Sequence, residues 1–407
     1  MTVLAWVSLL VWLWLVLFRG GFWRTDVRLP PGGSGPPAGG WPAVAVVVPA
    51  RDEAGVLPLS LPSLLAQRYP GEAGIVFVDD DSGDGTGDLA RELAARSGGL
   101  PLVVVSPGAP APGWTGKLWA VRHGMEVAGR GVPGAGGPGS RPRWLLLTDA
   151  DIAHGPDSLR DLVAAGEAGG LDLVSLMARL RVVTAWEALI VPAFVFFFAQ
   201  LYPFRWVRRV GGRTAAAAGG CVLLRAEAAA RADVPGAIRH AVIDDVALAR
   251  AMKGSGGRIW LGLAQDVESV RPYPRLADLW AMVARSAYTQ LRLRPELLVG
   301  TVLGLVLVYL VPPVAVVVGV WRGDGVLCAV GAVAWGLMAG CFVPMVRHHR
   351  ASLVVVPLLP GVALLYLLMT VDSAVRHHRG RGAAWKGRTY AGPGAGRSGE
   401  GAGSGVI

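Results

Sequence analysis

Apolar positions fall into two kinds of run, long at the ends of the chain and short in its middle. Thr2 to Phe18 is a 17-residue run without a charge, followed by Arg19, Arg24 and Arg28. At about 1.5 Å per residue such a helix just crosses a hydrocarbon core. A secretory signal puts its positive charges before the apolar run. Here they follow it, which predicts an uncleaved anchor over 1–20 with the next domain in the cytoplasm. Near the other end lie Leu297 to Val320, Val326 to Val346 and Leu353 to Val371. These predict two to three transmembrane helices over 297–372. The last run carries Pro357, Pro360 and Gly361, so it is kinked or re-entrant. "RHHR" from Arg347 and the residues after Arg376 are both basic, and lie on opposite sides only if that run spans fully. Residues 373–407 predict a basic and then Gly/Ser-rich disordered tail.

Between a Gly/Pro linker (Pro30 to Gly40) and Arg294, short apolar runs alternate with helical stretches. Strands are predicted at Ala43 to Pro49, Gly74 to Asp80, Leu102 to Ser106 and Arg143 to Asp151. Helices are predicted at Leu59 to Gln67, Asp88 to Arg96, Lys117 to Val127 and Val246 to Met252. Continuously apolar strands separated by helices mean a mostly parallel sheet covered on both faces. The fold class is α/β, with the sheet domain over 41–294 and a Gly/Pro surface loop near Gly129 to Gly139. One run, 188–204, is too apolar for a soluble domain. A full crossing there would put Asp151 and Asp245 on opposite sides of the bilayer. It is therefore read as interfacial or re-entrant, with Arg205, Arg208 and Arg209 at lipid headgroups, or else as a buried core helix.

Composition agrees with a membrane protein: 53% hydrophobic, 17% charged, net charge +10. No basic block sits beside stacking aromatics, so the basic excess points to an anionic membrane surface and not to nucleic acid. The three cysteines have neither metal spacing nor a disulfide framework, as in a reducing compartment.

The acids gather where such sheets bind ligands, at the carboxyl ends of strands. "TDAD" holds Asp149 and Asp151 two apart; in extended chain both point one way, and like charges held close call for a cation. Their oxygens suit a hard ion, Mg²⁺ or Mn²⁺. A helix N-cap at Asp151 is the alternative. "VDDDSGDGT" places Asp79 and Asp80 where acids accept from ribose hydroxyls or a base N–H, or where they form a solvated turn. Lys117, in "GWTGKLWA", is one of only three lysines against many arginines; at a helix start it suits a diphosphate, or is a chance surface residue. Asp244 and Asp245 open an apolar helix, as a cap or as a general base. Gly219 and Gly220 suggest close backbone approach. His123, His154 and His240 have no ligand spacing.

Together these motifs resemble family 2 glycosyltransferases, the inverting type with a nucleotide-sugar donor. "VVVPARDE" is similar to the family's opening strand and turn, with Asp52 in place of asparagine. The resemblance implies donor contacts at Pro49, Asp52, Glu53, Asp79, Asp80, Lys117 and Asp149. It implies a metal at Asp151, assisted by Asp149, and a catalytic base at Asp245 with Asp244 in the glutamate place. The acceptor side would include Gly219, Gly220 and Arg225 of "GGCVLLR", and Gln290 and Arg292 of "QLRLR". The anchor, "GWTGKLWA", "ALIVPAFVFFFAQLYP", "RPYPRLADLW" and "RSAYTQLRLRP" resemble the hopene-associated glycosyltransferases of hopanoid-making bacteria. That implies a multi-pass enzyme of the bacterial plasma membrane, moving a hexose from a donor such as a UDP-sugar to a hopanoid or polyprenol. Two other readings stay open: a processive polysaccharide synthase, although Q-x-x-R-W is absent, and a non-catalytic nucleotide-sugar-binding membrane scaffold.

Overall fold

A computed structural model describes residues 1–30, 35–134 and 141–379, with the backbone of 384–385 and 388–389. The expected disordered tail beyond 379 lies otherwise outside the described residues. Eight strands form one sheet: β1 Val44–Ala50, β2 Ala73–Asp79, β3 Leu102–Val105, β4 Trp144–Thr148, β5 Ile152–His154, β6 Leu173–Leu180, β7 Cys221–Arg225 and β8 Ile259–Ser269. Their spatial order is β3-β2-β1-β4-β7-β6-β8-β5. The first four are parallel; β1 and β4 are buried throughout, as parallel strands covered on both faces are, and β3 at the sheet edge is half-buried. The second half is mixed, since β7 runs antiparallel to both β4 and β6 and β5 runs antiparallel to β8. β6 and β8 are parallel again, so parallel pairings still outnumber antiparallel ones, as expected of a mostly parallel sheet.

Fifteen α-helices accompany the sheet in the described residues. The first five are α1 Thr2–Phe18, α2 Leu57–Leu65, α3 Thr86–Ser97, α4 Gly116–Ala128 and α5 Ser158–Gly169. α6 Ala185–Leu201 and α7 Phe204–Val207 interrupt the sheet between β6 and β7; α8 Ala226–Arg231 and α9 Asp244–Gly254 follow. α10 Leu276–Ala284 and α11 Ala287–Gln290 lead to α12 Pro295–Leu305, α13 Val311–Arg322, α14 Gly325–His348 and α15 Leu359–His378. Two apolar cores cover the two faces of the sheet, and the larger continues without a break into α6, α14 and α15.

Among the described residues, four segments are long and apolar enough to cross a membrane by length and composition: Ala185–Val207, Pro295–Arg322, Gly325–His348 and Leu353–His378. Geometry separates them. α14 ends beside the sheet domain, with His348 Nδ1 3.5 Å from an Arg28 nitrogen. The chain then folds back along α14 in a 3₁₀ stretch, Leu353–Leu358, held by Trp335 Nε1 donating to the Pro357 carbonyl at 3.2 Å. α15 returns to the sheet domain, where Arg376 and His377 line the same cleft as Asp149. Both ends of 353–378 therefore meet the sheet domain, and the two basic clusters lie on one side. α6 is likewise held at both ends. The buried Glu187 accepts from the Tyr273 N–H after β8 (2.8 Å), and Arg19 donates to the Gln200 carbonyl (3.0 Å).

Between α12 and α13 the helix loosens into a π-turn, Val306–Leu310. Pro312 has no N–H to give the Val308 carbonyl four residues earlier. In an apolar surrounding that carbonyl needs another donor. Trp12 Nε1 of α1 supplies it at 2.7 Å. Trp12→Phe keeps the ring and removes this donor. It is expected to cost about 1 kcal/mol, read as a lower thermal midpoint of the purified protein; an unchanged midpoint would refute the pairing.

Candidate active site

β4 ends at Thr148 and the chain turns at once, with Ile152 N–H donating to the Asp149 carbonyl at 3.2 Å. Asp149 and Asp151 thus sit on a turn between β4 and β5, not in extended chain. No helix follows directly, so Asp151 is no N-cap; the next helix, α5, has Asp157 in that place. The turn is pinned by the Val270 N–H donating to the Asp151 carbonyl at 2.9 Å.

Each carboxylate has its own cation. Lys117 Nζ lies 2.8 Å from Asp149 Oδ1 and 3.1 Å from Asp244 Oδ2. Lys117 is in the first turn of α4, where a positive charge opposes the helix dipole. The two carboxylates compensate it. Burial works against the ammonium charge, but Asp149 and Asp244 outweigh burial and hold Lys117 above its ordinary value. Asp151 Oδ2 accepts from Arg271 Nε (2.9 Å) and from Ser269 Oγ (3.1 Å). The same guanidinium spans both oxygens of Glu53 at 2.8 and 2.7 Å. Burial opposes that charge too, and Asp151 and Glu53 together raise Arg271 above its ordinary value.

Asp245 differs. Its oxygens accept from the Val246 N–H (2.7 Å) and the Gly219 N–H (3.3 Å), and no ion pair reaches it among the described residues. Burial, then the charge of Asp244, push its pKa up to about 7, against those N–H donors and Lys117. It faces a small pocket of 30 Å³ that shares Pro49, Lys117, Asp149 and Asp244 with the main cleft. Gly219 lies beside Asp245 and Lys117; a Cβ there would meet them at 3.6 and 3.7 Å, ordinary contact distances, so the expected close backbone approach does not require a glycine at this position. Gly220 packs beneath Ile152.

The main cleft holds 770 Å³. Pro49, Glu53, Lys117, Asp149, Asp151 and Asp244 line its sheet end. Asp52, Asp79 and Asp80 lie beside it on the same sheet edge, in two interlocked turns. Asp52 accepts from the Gly83 N–H (2.9 Å), Glu53 N–H donates to Thr86 Oγ1 (2.8 Å), and Asp79 accepts from the Ser82 N–H (3.3 Å). Asp52 and Asp81 have φ of +51° and +56°, a region aspartate tolerates better than most residues. Asp80 is fully buried, 3.7 Å from Arg51.

Three expected acceptor residues fall elsewhere. β7 runs antiparallel to β4, pairing Arg225 with Trp144, so Arg225 is at the opposite edge of the sheet from the acids. There it stacks over Trp144 at 4.4 Å and pairs with Glu167 and Asp172. Gln290 donates to the Tyr202 hydroxyl, and Arg292 is exposed with φ +55°; neither lines the cleft, although Tyr288 and Thr289 do. His154 is a buried structural residue between Thr148 and Ser158, its pKa lowered to about 4 by burial.

Arg271 was not legible in the sequence. One arginine among many carries no signal, and its partner Asp151 is 120 positions away. The one clue is "SVRPYP", an arginine directly after a long strand and before two prolines.

For a divalent ion, no group of three or more His, Cys, Asp or Glu side chains gathers among the described residues. Two carboxylates, Asp149 and Asp151, face the cleft. That set fits a hard ion drawing its remaining ligands from phosphates and water.

Parallel strands ending in acids over a broad cleft, with an acid pair across it, define a glycosyltransferase of GT-A-like fold. The chain belongs to the family described as "Glycosyltransferase like family 2", whose model matches residues 42–289. Among solved structures it is similar to a mannosyltransferase from Pyrobaculum calidifontis in complex with GDP-Man and Mn²⁺, at 18% identity and TM-score 0.49, covering 93% of this chain and 98% of that one. It is also similar to S. aureus TarS, at 16% identity and TM-score 0.39, covering 60% of this chain and 40% of that one. A third is glucosyl-3-phosphoglycerate synthase from M. tuberculosis, at 17% identity and TM-score 0.39, covering 62% of this chain and 80% of that one.

Arg271→Ala leaves Glu53 and Asp151 without their common cation, expected to cost about 2–3 kcal/mol. Arg271→Lys keeps the charge but loses the fork, and should fall between the two. Thermal unfolding of the three proteins measures the order; equal midpoints would show the pairs are not formed.

Proposed function

We propose that the protein is a membrane-bound inverting glycosyltransferase that moves a sugar from a nucleotide-diphosphate donor to a lipid hydroxyl. The observation that carries the reading is Lys117, whose ammonium joins Asp149 of the D-x-D turn to Asp244 of the acid pair in one cleft. That cleft also reaches the end of the last apolar helix, at Ser373, Arg376 and His377. Donor chemistry and membrane are thus lined by one surface, as a lipid acceptor requires.

In this reading the nucleoside lies over Asp52, Asp79 and Asp80, and the diphosphate lies near Asp149, Lys117 and Arg271. Mg²⁺ or Mn²⁺ would be held by Asp151 with Asp149, and would supply charge neutralisation for the departing diphosphate. Lys117 and Arg271 add positive charge where negative charge develops. Asp245 takes the proton from the acceptor hydroxyl as that oxygen bonds to the anomeric carbon from the face opposite the breaking bond to the diphosphate. A base near pKa 7 balances availability against strength, whereas Asp244 is committed to Lys117. A UDP-sugar donor, and a hopanoid or polyprenol acceptor in hopanoid biosynthesis, are supported by the sequence resemblance.

The protein sits in a bacterial plasma membrane with residues 41–294 cytoplasmic, α1, α12–α13 and α14 crossing, α15 re-entering and α6 along the interface. The arginines after α1 and the shared side of both basic clusters support this orientation.

Four outcomes test it. Asp245→Asn should keep nucleotide binding and lower transfer by about 10²–10⁴-fold. In the parent enzyme transfer should fall as pH drops through about 7, because Asp245 then gains a proton; a flat profile across that range contradicts Asp245 as base. Asp151→Ala should weaken nucleotide binding with Mn²⁺ present and change it little in chelator. Equal loss in both, read by calorimetry, would exclude Asp151 as the metal ligand. Lipid mass spectrometry of a deletion strain identifies the product, and a profile with no glycolipid missing would remove the lipid-acceptor assignment.

A further inference from the structure

The main cleft carries two sets of charges. At its sheet end stand Glu53, Asp149, Asp151 and Asp244, compensated by Lys117 and Arg271. On the helices after β8, its membrane end, stand the exposed Arg285 that caps α10, His377 and the exposed Arg376 of α15, and Asp278 of α10, which is paired with Arg275. Arg285 makes no ion pair among the described residues. Arg376 shares Asp372 with the Trp280 indole, at 2.7 and 2.6 Å, and a guanidinium has five N–H donors, so most remain for a ligand. This end is built in advance: Tyr288 N–H donates to the buried Ser373 Oγ at 3.1 Å, and Trp280 donates to Asp372, locking α10 and α11 onto α15. Apolar Met282 and Leu293 line the wall between the ends, and Leu297, one turn further into α12, is exposed.

We propose that the membrane end binds the phosphodiester of a phospholipid whose headgroup carries a free hydroxyl, as a glycerol headgroup does. The idea rests on the lipid-acceptor reading and departs from it in one respect: an anionic lipid alcohol takes the place of the uncharged hopanoid or polyprenol. An uncharged lipid alcohol gives Arg285, which has no ion pair among the described residues, no anion to meet. A lipid ending in a bare phosphate would have to place that phosphate among four carboxylates to react. A phosphodiester followed by a hydroxyl matches both ends: the anion meets the arginines, and the hydroxyl reaches across toward Asp245. The acyl chains leave past Leu293 and Leu297 into the bilayer. Charge-assisted contacts from a guanidinium to a phosphate are among the stronger polar contacts available.

Native mass spectrometry of the full-length protein in detergent reads lipid retention without any sugar donor. Phosphatidylglycerol should be retained over diacylglycerol with the same chains by roughly tenfold or more. Arg285→Gln with Arg376→Gln should erase that preference, with UDP and GDP binding in Mn²⁺ unchanged. Arg96→Gln, exposed at the end of α3 and absent from the cleft lining, should leave it intact. Glycerol phosphate, the same anion without chains, should compete only at far higher concentration. Equal retention of both lipids, equal loss in Arg96→Gln, or full competition by glycerol phosphate would each overturn the proposal. The glycosyltransferase reading fails separately, if no UDP- or GDP-hexose is consumed with any lipid.

Discussion

The site depends on one ammonium group held between two carboxylates. Lys117 stands at the start of a helix, where the dipole is unfavourable to it, and faces acids from two other parts of the chain. Remove its charge and Asp149, Asp151 and Asp244 would crowd one sheet edge with Arg271 alone to offset them. Like charges at that spacing take up protons or move apart. Asp245 shows what happens where no cation makes direct contact: burial and its neighbour's charge lift its pKa to about 7. The same electrostatic arrangement therefore engages Asp149 and Asp244 in ion pairs and leaves Asp245 able to exchange a proton near neutrality.

Much of this was legible because apolar runs and acid clusters are local signals. β1, β2 and β4 are wholly buried strands whose hydrophobic residues stand in sequence without interruption, and the acids follow them directly. Strand direction is not local. Nothing in "GGCVLLR" shows that its strand runs antiparallel to β4, and that direction carries Arg225 to the wrong edge while leaving Gly219 beside Asp245. Arg271 escaped for a related reason: it acts through residues 120 and 218 positions away. The turn at Asp149 to Ile152 was hidden as well, since a two-residue spacing reads the same in strand and turn.

The membrane segments follow similar logic. Hydropathy finds apolar length but not direction, so 353–378 reads as a span although both its flanks meet the sheet domain. Pro357 and Pro360 were the local sign, since neither can supply the N–H that a straight helix needs there. At Val308 the consequence of a proline is answered from a distance by Trp12, near the start of the chain.

These threads meet in the strap that follows β8. Arg271 ties it to Asp151 and Glu53, and two residues on, the Tyr273 N–H ties it to Glu187 at the start of α6. Beyond the strap, Trp280 joins α10 to Asp372 of α15. Ten residues thus fasten the charged end of the cleft to two apolar helices. Glu187 is fully buried and also accepts the Val183 and Thr184 N–H groups, so it cannot move without leaving three donors unsatisfied. The positions of α6 and α15 therefore set where Arg271 stands over the turn that carries Asp149 and Asp151.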